Sequence, residues 1–211
     1  MEKKSKNKAV KSGIFIAVFV LSIMIIGVSV SYAYFSANVV GSSDTGENQA
    51  AKLNVTTTLT SGGAINATSL AIIDGSEYLT KAEHFEFTVT NNTDSTVRAK
   101  YAINLTDITI SKNILSKYFK WAIVVNSDTS NAITGDFQDA SLATEGNSDT
   151  TTVTIDSKAL VSEEDALELD IGATDTLTFY LWLENDDNVD QLYLTNGNMT
   201  AKLSLDAFPV R

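Results

Sequence analysis

Two hydrophobic patterns divide this chain. From Ile14 to Val30 apolar and small residues follow one another for 17 positions without a charge. Beyond Lys52 the apolar residues alternate with polar ones, the period of a strand with one wet face. Leu53, Val55, Thr57 and Leu59 share a face in 52–59, as do Phe85, Phe87 and Val89 in 84–90. After the turn cluster Asn91-Asn-Thr-Asp-Ser95, Tyr101, Ile103 and Leu105 do the same in 98–105. Residues 119–125, 151–155 and 198–207 read as further strands. Leu177–Leu183 is apolar at nearly every position, which predicts a central strand covered on both faces. The spacing of Ser111 ahead of Ile114, Leu115 and Tyr118 predicts a short helix over 111–119, with Ser111 as N-cap. Ser162-Glu-Glu-Asp165 has the spacing of a capping box and predicts a helical turn. Residues 126–150 are polar and turn-rich, and predict a long loop with little regular structure. About seven or eight strands at this spacing predict an all-β chain, a two-sheet β-sandwich of Ig-like or jelly-roll kind.

The N-terminal pattern fixes the compartment. Lys3, Lys4, Lys6, Lys8 and Lys11 precede the apolar run, and Ser31 and Ala33 are small residues at the places before a cut. A basic stretch, an apolar stretch and a small-residue cleavage site describe an export signal. The run is longer than the usual ~7–15 residues of a signal and shorter than the ~20 of a spanning helix. Residues 1–33 are therefore either a signal peptide cut between Ala33 and Tyr34 or a retained membrane-anchor helix. In both cases the lysines stay inside and the rest faces out. Residues 34–51 follow as an N-terminal segment and linker, and 52–211 as the β domain. The chain closes four residues after Ala207 without an apolar tail or a Leu-Pro-x-Thr-Gly motif. Anchoring is thus expected from the N-terminus or from partners.

Charge narrows the partners. Taking the five lysines and Glu2 out of the formal −11 of the whole chain leaves about −15 on residues 34–211. Nucleic acid and anionic lipid surfaces both require basic patches, so neither is an expected partner, and a membrane contact is expected only through the N-terminal helix. The chain has no cysteine. An exported domain of this size without disulfides relies on its core and strand pairing, a habit of bacterial surfaces more than of animal secreted modules.

Ser31-Tyr-Ala-Tyr-Phe-Ser36 after the apolar run, followed by a short linker and Leu53-Asn-Val-Thr-Thr-Thr-Leu59, resembles the TasA/camelysin proteins of Gram-positive bacteria. Phe85-Glu-Phe-Thr-Val-Thr-Asn-Asn-Thr93 and Tyr180-Leu-Trp-Leu-Glu-Asn185 are similar to a broader group of exported proteins with such signals. The resemblance covers the N-terminal ~30 residues closely and the β domain as a pattern. Ala37 follows Phe35-Ser36 where the family carries an Asp. The resemblance implies a jelly-roll sandwich that assembles into extracellular matrix fibres, the mature N-terminal segment of one subunit completing the sheet of the next. The matching segment here is Tyr34, Phe35, Ser36, Ala37, Asn38, Val39 and Val40. Read without any family, it is a short β-prone stretch on a polar leash, which is what strand addition to an open sheet edge uses. The plain alternative is that it simply flanks the signal or continues the anchor.

Catalytic chemistry is thin. The camelysin branch is described as proteolytic, yet the chain's single histidine, His84, sits within a predicted strand and has no second histidine to share a zinc ion. No cysteine nucleophile exists, and a Ser-His-Asp triad would have to use His84. Asp186-x-Asn188-x-Asp190 matches the first half of a calcium loop, but Gln191 stands where its Gly belongs and Gly197 where its Glu belongs. A weak surface calcium site or a solvated loop are the two readings. Five Asn-x-Thr sequons (Asn54, Asn66, Asn91, Asn104, Asn198) follow from an Asn/Thr-rich composition, and no Gly-rich phosphate loop is present. No cofactor is expected. The sequence thus favours a non-enzymatic, self-associating structural protein of the cell surface or matrix, with other matrix or surface proteins as further partners. The runner-up is a membrane-tethered, adhesin-like binding module with an uncleaved N-terminal helix.

Overall fold

The computed structural model describes residues 35–38, 52–59, 64–68, 70–138, 146 and 148–210. Among the described residues twelve strands form two sheets. In sheet A the order is β1 (Phe35–Asn38), β2 (Asn54–Leu59), β5 (Glu83–Asn91), β11 (Thr174–Glu184), β7 (Phe119–Val125) and β8 (Asp128–Asp136). A seventh strand, β4 (Ile72–Ile73), lies parallel to the end of β11, Leu183 facing Ile72. In sheet B the order is β10 (Leu167–Leu169), β6 (Ala99–Ser111), β12 (Met199–Pro209) and β3 (Ala64–Ala67), with β9 (Thr152–Val161) also on β6. All pairings but that of β4 are antiparallel. The protein is an all-β, two-sheet sandwich.

The alternation read from the sequence sets the inner faces. Phe85, Phe87, Val89, Tyr101, Ile103, Leu105, Trp121, Ile123, Phe179 and Leu181 belong to one buried core. Removing a large apolar side chain from water contributes ~1.5–3 kcal/mol, so these ten set the stability of the unit. Tyr101 of β6 crosses the core and donates its hydroxyl hydrogen to Asp175 of β11 at 2.6 Å, tying sheet B to sheet A. Burial, aided by that carboxylate, pushes the Tyr101 phenol well above its usual range.

β11 is covered on both faces in its second half, as its continuous apolar run predicts. Phe179 and Leu181 face the core, while Trp182 packs outward with Ile73, Ala82 and Ala122, and Tyr78 and Tyr180 lie against them. The cover is the 71–82 segment, which includes a short helix, α1 (Tyr78–Lys81).

Three expectations are corrected. No helix spans 111–119: β6 runs through Ser111, and a single 3-10 turn follows at Lys112–Ile114. Ser111 does not cap it, because its N–H donates to Asn198 O and its Oγ accepts from Asn198 N–H, extending the sheet by one rung. Residues 126–150 are not one long loop. Asn126 and Ser127 both have positive φ (51° and 63°), which is the two-residue hairpin turn that matches strand twist. They return the chain into β8, an edge strand with too few apolar residues to reveal itself by alternation. Third, Ser162 donates its hydroxyl to Asp165 at 2.8 Å and accepts the Asp165 N–H, but only a turn results, leading to β10. The short strands β3, β4 and β10 and the helix α1 had no periodic trace in the sequence. Residues 1–33, Tyr34, Val39, Val40 and the 41–51 linker lie outside the described residues. Among the described residues no helix is long and apolar enough to cross a membrane.

Candidate functional site

The segment singled out for self-assembly enters the structure as an edge strand. β1 lies antiparallel on the outer side of β2, pairing Phe35 with Thr57, Ser36 with Thr56, Ala37 with Val55 and Asn38 with Asn54. On its other side β2 pairs with β5, Val55 facing Asn91 and Thr57 facing Val89. β1 is thus the last strand of the sheet, held by a ladder four residues long.

The strand that receives it is clamped. Lys52 Nζ meets Asp94 at 2.6 Å, and Asn54 Nδ2 donates to the same carboxylate at 3.0 Å. Asn54 N–H donates to Ser95 Oγ, its carbonyl accepts from Asn92 N–H, and Lys52 exchanges bonds with Thr96 through both its N–H and its carbonyl. Leu53 and Val55 are buried in the core. The Lys52 ammonium, and after it the Asn54 amide, holds the Asp94 carboxyl below its usual range. The 92–96 turn therefore fixes the start of β2, so that its outer row of backbone groups is a pre-formed edge. Of the proposed assembly residues, Phe35 and Ala37 occupy this ladder, whereas Tyr34, Val39 and Val40, with the cleavage position Ala33, fall outside the described residues.

The calcium candidates do not converge. Asp186 Oδ1 accepts the N–H and the side-chain amide of Asn188, and Tyr118 donates to Asp186 Oδ2 at 3.3 Å. The Asn188 bonds, the backbone one foremost, hold the Asp186 carboxyl low. Asp190 Oδ1 accepts from Leu192 N–H. These carboxylates brace the turns of the β11–β12 connection, and no group of three or more His, Asp or Glu side chains suited to a metal occurs among the described residues. His84 is exposed on β5, its ring 5.9 Å from that of Tyr180.

A second feature had no trace in the sequence reading. On the outer face of sheet A a groove of about 430 Å³ opens between the 75–78 segment and the β7–β8 hairpin. Tyr78 stacks on Trp182 with ring centroids 4.9 Å apart and 15° between planes, and Tyr180 meets Tyr78 edge-on at 5.3 Å. Burial, then the neighbouring Tyr180, raises the Tyr78 phenol above its usual range. Glu184 is fixed at both oxygens, accepting from Trp182 Nε1 at 2.7 Å and Gly75 N–H at 3.0 Å. A Cβ on Gly75 would come within 2.7 Å of a Glu184 carboxylate oxygen, so a larger residue there would push that side chain from its present place. Lys120 and Asp136 face each other across the β7–β8 pair at 3.3 Å. The pattern that could have exposed this site is the outward Trp182 in a strand whose inward residues already fill the core.

No family model matches the chain, and no curated protein matches it. The class defined by fold and edge is an all-β sandwich whose own N-terminal segment forms the outermost strand of one sheet.

Proposed function

We propose that this protein is an exported, non-enzymatic structural protein that builds extracellular matrix or surface fibres by strand exchange. Residues 34–40 of one subunit take the place beside β2 of the next. The observation that carries the reading is the β1–β2 ladder on a clamped edge. In the proposal the cut after Ala33 frees Tyr34, and the sandwich is of the jelly-roll kind that the TasA/camelysin resemblance implies.

Magnitudes favour exchange over a permanent closure. A backbone hydrogen bond is worth ~0.5–1.5 kcal/mol net, and fixing one residue's backbone costs ~1–2 kcal/mol. A four-residue ladder on one side is close to balance within the chain. A second copy offers the same edge, and joining identical elements between copies adds little strain. Register decides which residues matter. Phe35 pairs with Thr57 and Ala37 with the core residue Val55, and alternate side chains of the donor, Phe35, Ala37 and Val39 or the opposite set, would fix the register.

The absence of cysteine permits a clean test. Ser36 and Thr56 are direct partners, and opposite strand positions lie within disulfide reach. Ser36→Cys and Thr56→Cys are placed in separate preparations, mixed and oxidised. Strand exchange yields a covalent dimer of unlike subunits. A closed monomer yields none, although the double variant cross-links within one chain, and that outcome would overturn the proposal.

A further inference from the structure

The groove on the outer face of sheet A combines features that a structural cover does not need. We propose that it binds a saccharide, one or two neutral hexose units of a surface or matrix glycan. Tyr78 supplies the apolar floor. One of its faces is used on Trp182, and the ring remains partly exposed within the groove. Sugar rings present C–H faces that pack on aromatic rings, while their hydroxyls both donate and accept. Lys120 and Asp136 give such hydroxyls an adjacent donor and acceptor. Their side chains are 30% and 35% exposed, dry enough for a hydrogen bond to matter and open enough to be reached.

Trp121, a core residue of β7, bounds the groove from beneath. It is 5% exposed, and its indole N–H is buried with no acceptor among the described residues. Gly135 faces Trp121 across the β7–β8 ladder, and a Cβ there would lie 2.5 Å from the indole. The indole fills that place on the core side of β7 and β8, while the paired Lys120 and Asp136 alternate with it toward the groove. Groove size fits as well, since about 430 Å³ lies within the range of small-molecule sites, where aromatic walls and a few convergent polar groups are the rule. The net charge of about −15 on residues 34–211 repels anionic glycans and selects neutral ones. Glu184 is not available as a catalytic acid, being held by Trp182 and Gly75, so the assignment is binding without hydrolysis.

This site is independent of strand exchange: β1 and β8 stand at opposite ends of sheet A. The test uses a convenient property of the chain. It has two tryptophans, and both line the groove. The full chain in detergent micelles is titrated with maltohexaose, cellohexaose, laminarihexaose and N-acetylated chitohexaose while tryptophan fluorescence is followed. The expected result is a saturable change with at least one of them. Tyr78→Ala should weaken that binding about tenfold, and Asp136→Asn several-fold, the latter without loss of the strand circular-dichroism spectrum. The absence of any saturable change up to about 10 mM, below which specific affinities are expected to fall, overturns the assignment. So does binding that Asp136→Asn and Tyr78→Ala both leave intact, or a response to a β-prone peptide with none to the four saccharides.

Discussion

β11 and β1 belong to the same sheet and could hardly be held more differently. β11 has β5 along one side and β7 along the other, Phe179 facing both Phe85 and Ile123. Its side chains are covered above and below, by the core and by the Tyr78–Trp182 cluster. β1 is four residues long and touches one neighbour, β2. The comparison teaches where permanence comes from. Pairing on both sides and packing on both faces make a strand inseparable from the fold. Pairing on one side makes a strand replaceable by a copy of itself, and the clamp at Lys52, Asn54 and Asp94 keeps its berth in shape.

The largest effect should therefore follow truncation within β11. Phe179→Ala is expected to cost ~3–5 kcal/mol, a large part of the ~5–15 kcal/mol of a typical domain. Urea unfolding measures it. A midpoint equal to that of the parent protein would break the contrast between the two strands, because β11 would then carry no more than an edge does.

The Tyr101–Asp175 tether comes next. Tyr101→Phe keeps the ring in the core and removes one hydrogen bond to a carboxylate, for which ~1.5–3 kcal/mol is expected. Asp175 keeps the Asn126 amide as a partner at 2.7 Å, which should place the loss toward the lower end. The same urea curves report it, and a stabilised variant would mean that the two sheets are not joined through this pair.

Legibility in the sequence followed the same division. The inner faces of β5, β6, β7 and β11 were readable because each alternates apolar and polar residues or runs apolar throughout, and the ten core residues named above are where alternation puts them. β8 was hidden because an edge strand has one half-exposed face and no need of apolar alternation; its sequence, Asp-Thr-Ser-Asn-Ala-Ile-Thr-Gly-Asp, looks like a loop. Ser111 looked like a helix cap because short polar side chains serve caps and sheet ends equally. The β1 edge could be suspected from its β-prone residues, but its partner and register required the structure. The groove was invisible, since Tyr78, Lys120, Asp136 and Trp182 lie on four separate segments and meet only when sheet A forms.

Removing residues 34–40 should have the smallest effect on stability, within about 1 kcal/mol, since a four-residue ladder nearly balances its own ordering cost. Under the proposed strand exchange, the parent protein should form filaments visible by electron microscopy and the same deletion should abolish them. Filaments that persist unchanged without the segment would refute strand exchange while leaving the sandwich untouched. A loss of stability as large as that of Phe179→Ala would instead make β1 an integral strand.

The subtlest expectation concerns acid, because it sets the two regions against each other. In the proposed strand exchange, the charge of about −15 on residues 34–211 would oppose assembly at neutral pH. Ordinary Asp and Glu carboxyls begin to take up protons near pH 4–5, so assembly should quicken as pH falls toward about 4.5, as it should with added salt. Asp94, Asp128, Asp149 and Asp186 behave differently. Each is held below its ordinary range, Asp94 chiefly by Lys52, Asp128 by Ser130, Asp149 by the Thr151 N–H and Asp186 by Asn188. A carboxyl with a lowered folded-state pKa stabilises the fold above its unfolded value, near 3.9, and that contribution disappears as pH falls through the folded value. The Lys52–Asp94 ion pair is therefore present above the unfolded carboxyl value and is lost as pH falls through the lowered Asp94 value. Assembly rate by light scattering should rise from pH 7 to about 4.5 and fall again at lower pH, when the edge of β2 loses that ion pair. Asp94→Asn should remove the Lys52 ion pair at every pH, leaving the Ser95 and Thr96 bonds to β2, and slow assembly most on the neutral side of the maximum. A rate that climbs steadily to pH 3, or an Asp94→Asn variant that assembles like its parent, would show that β2 needs no fixed edge to receive a strand.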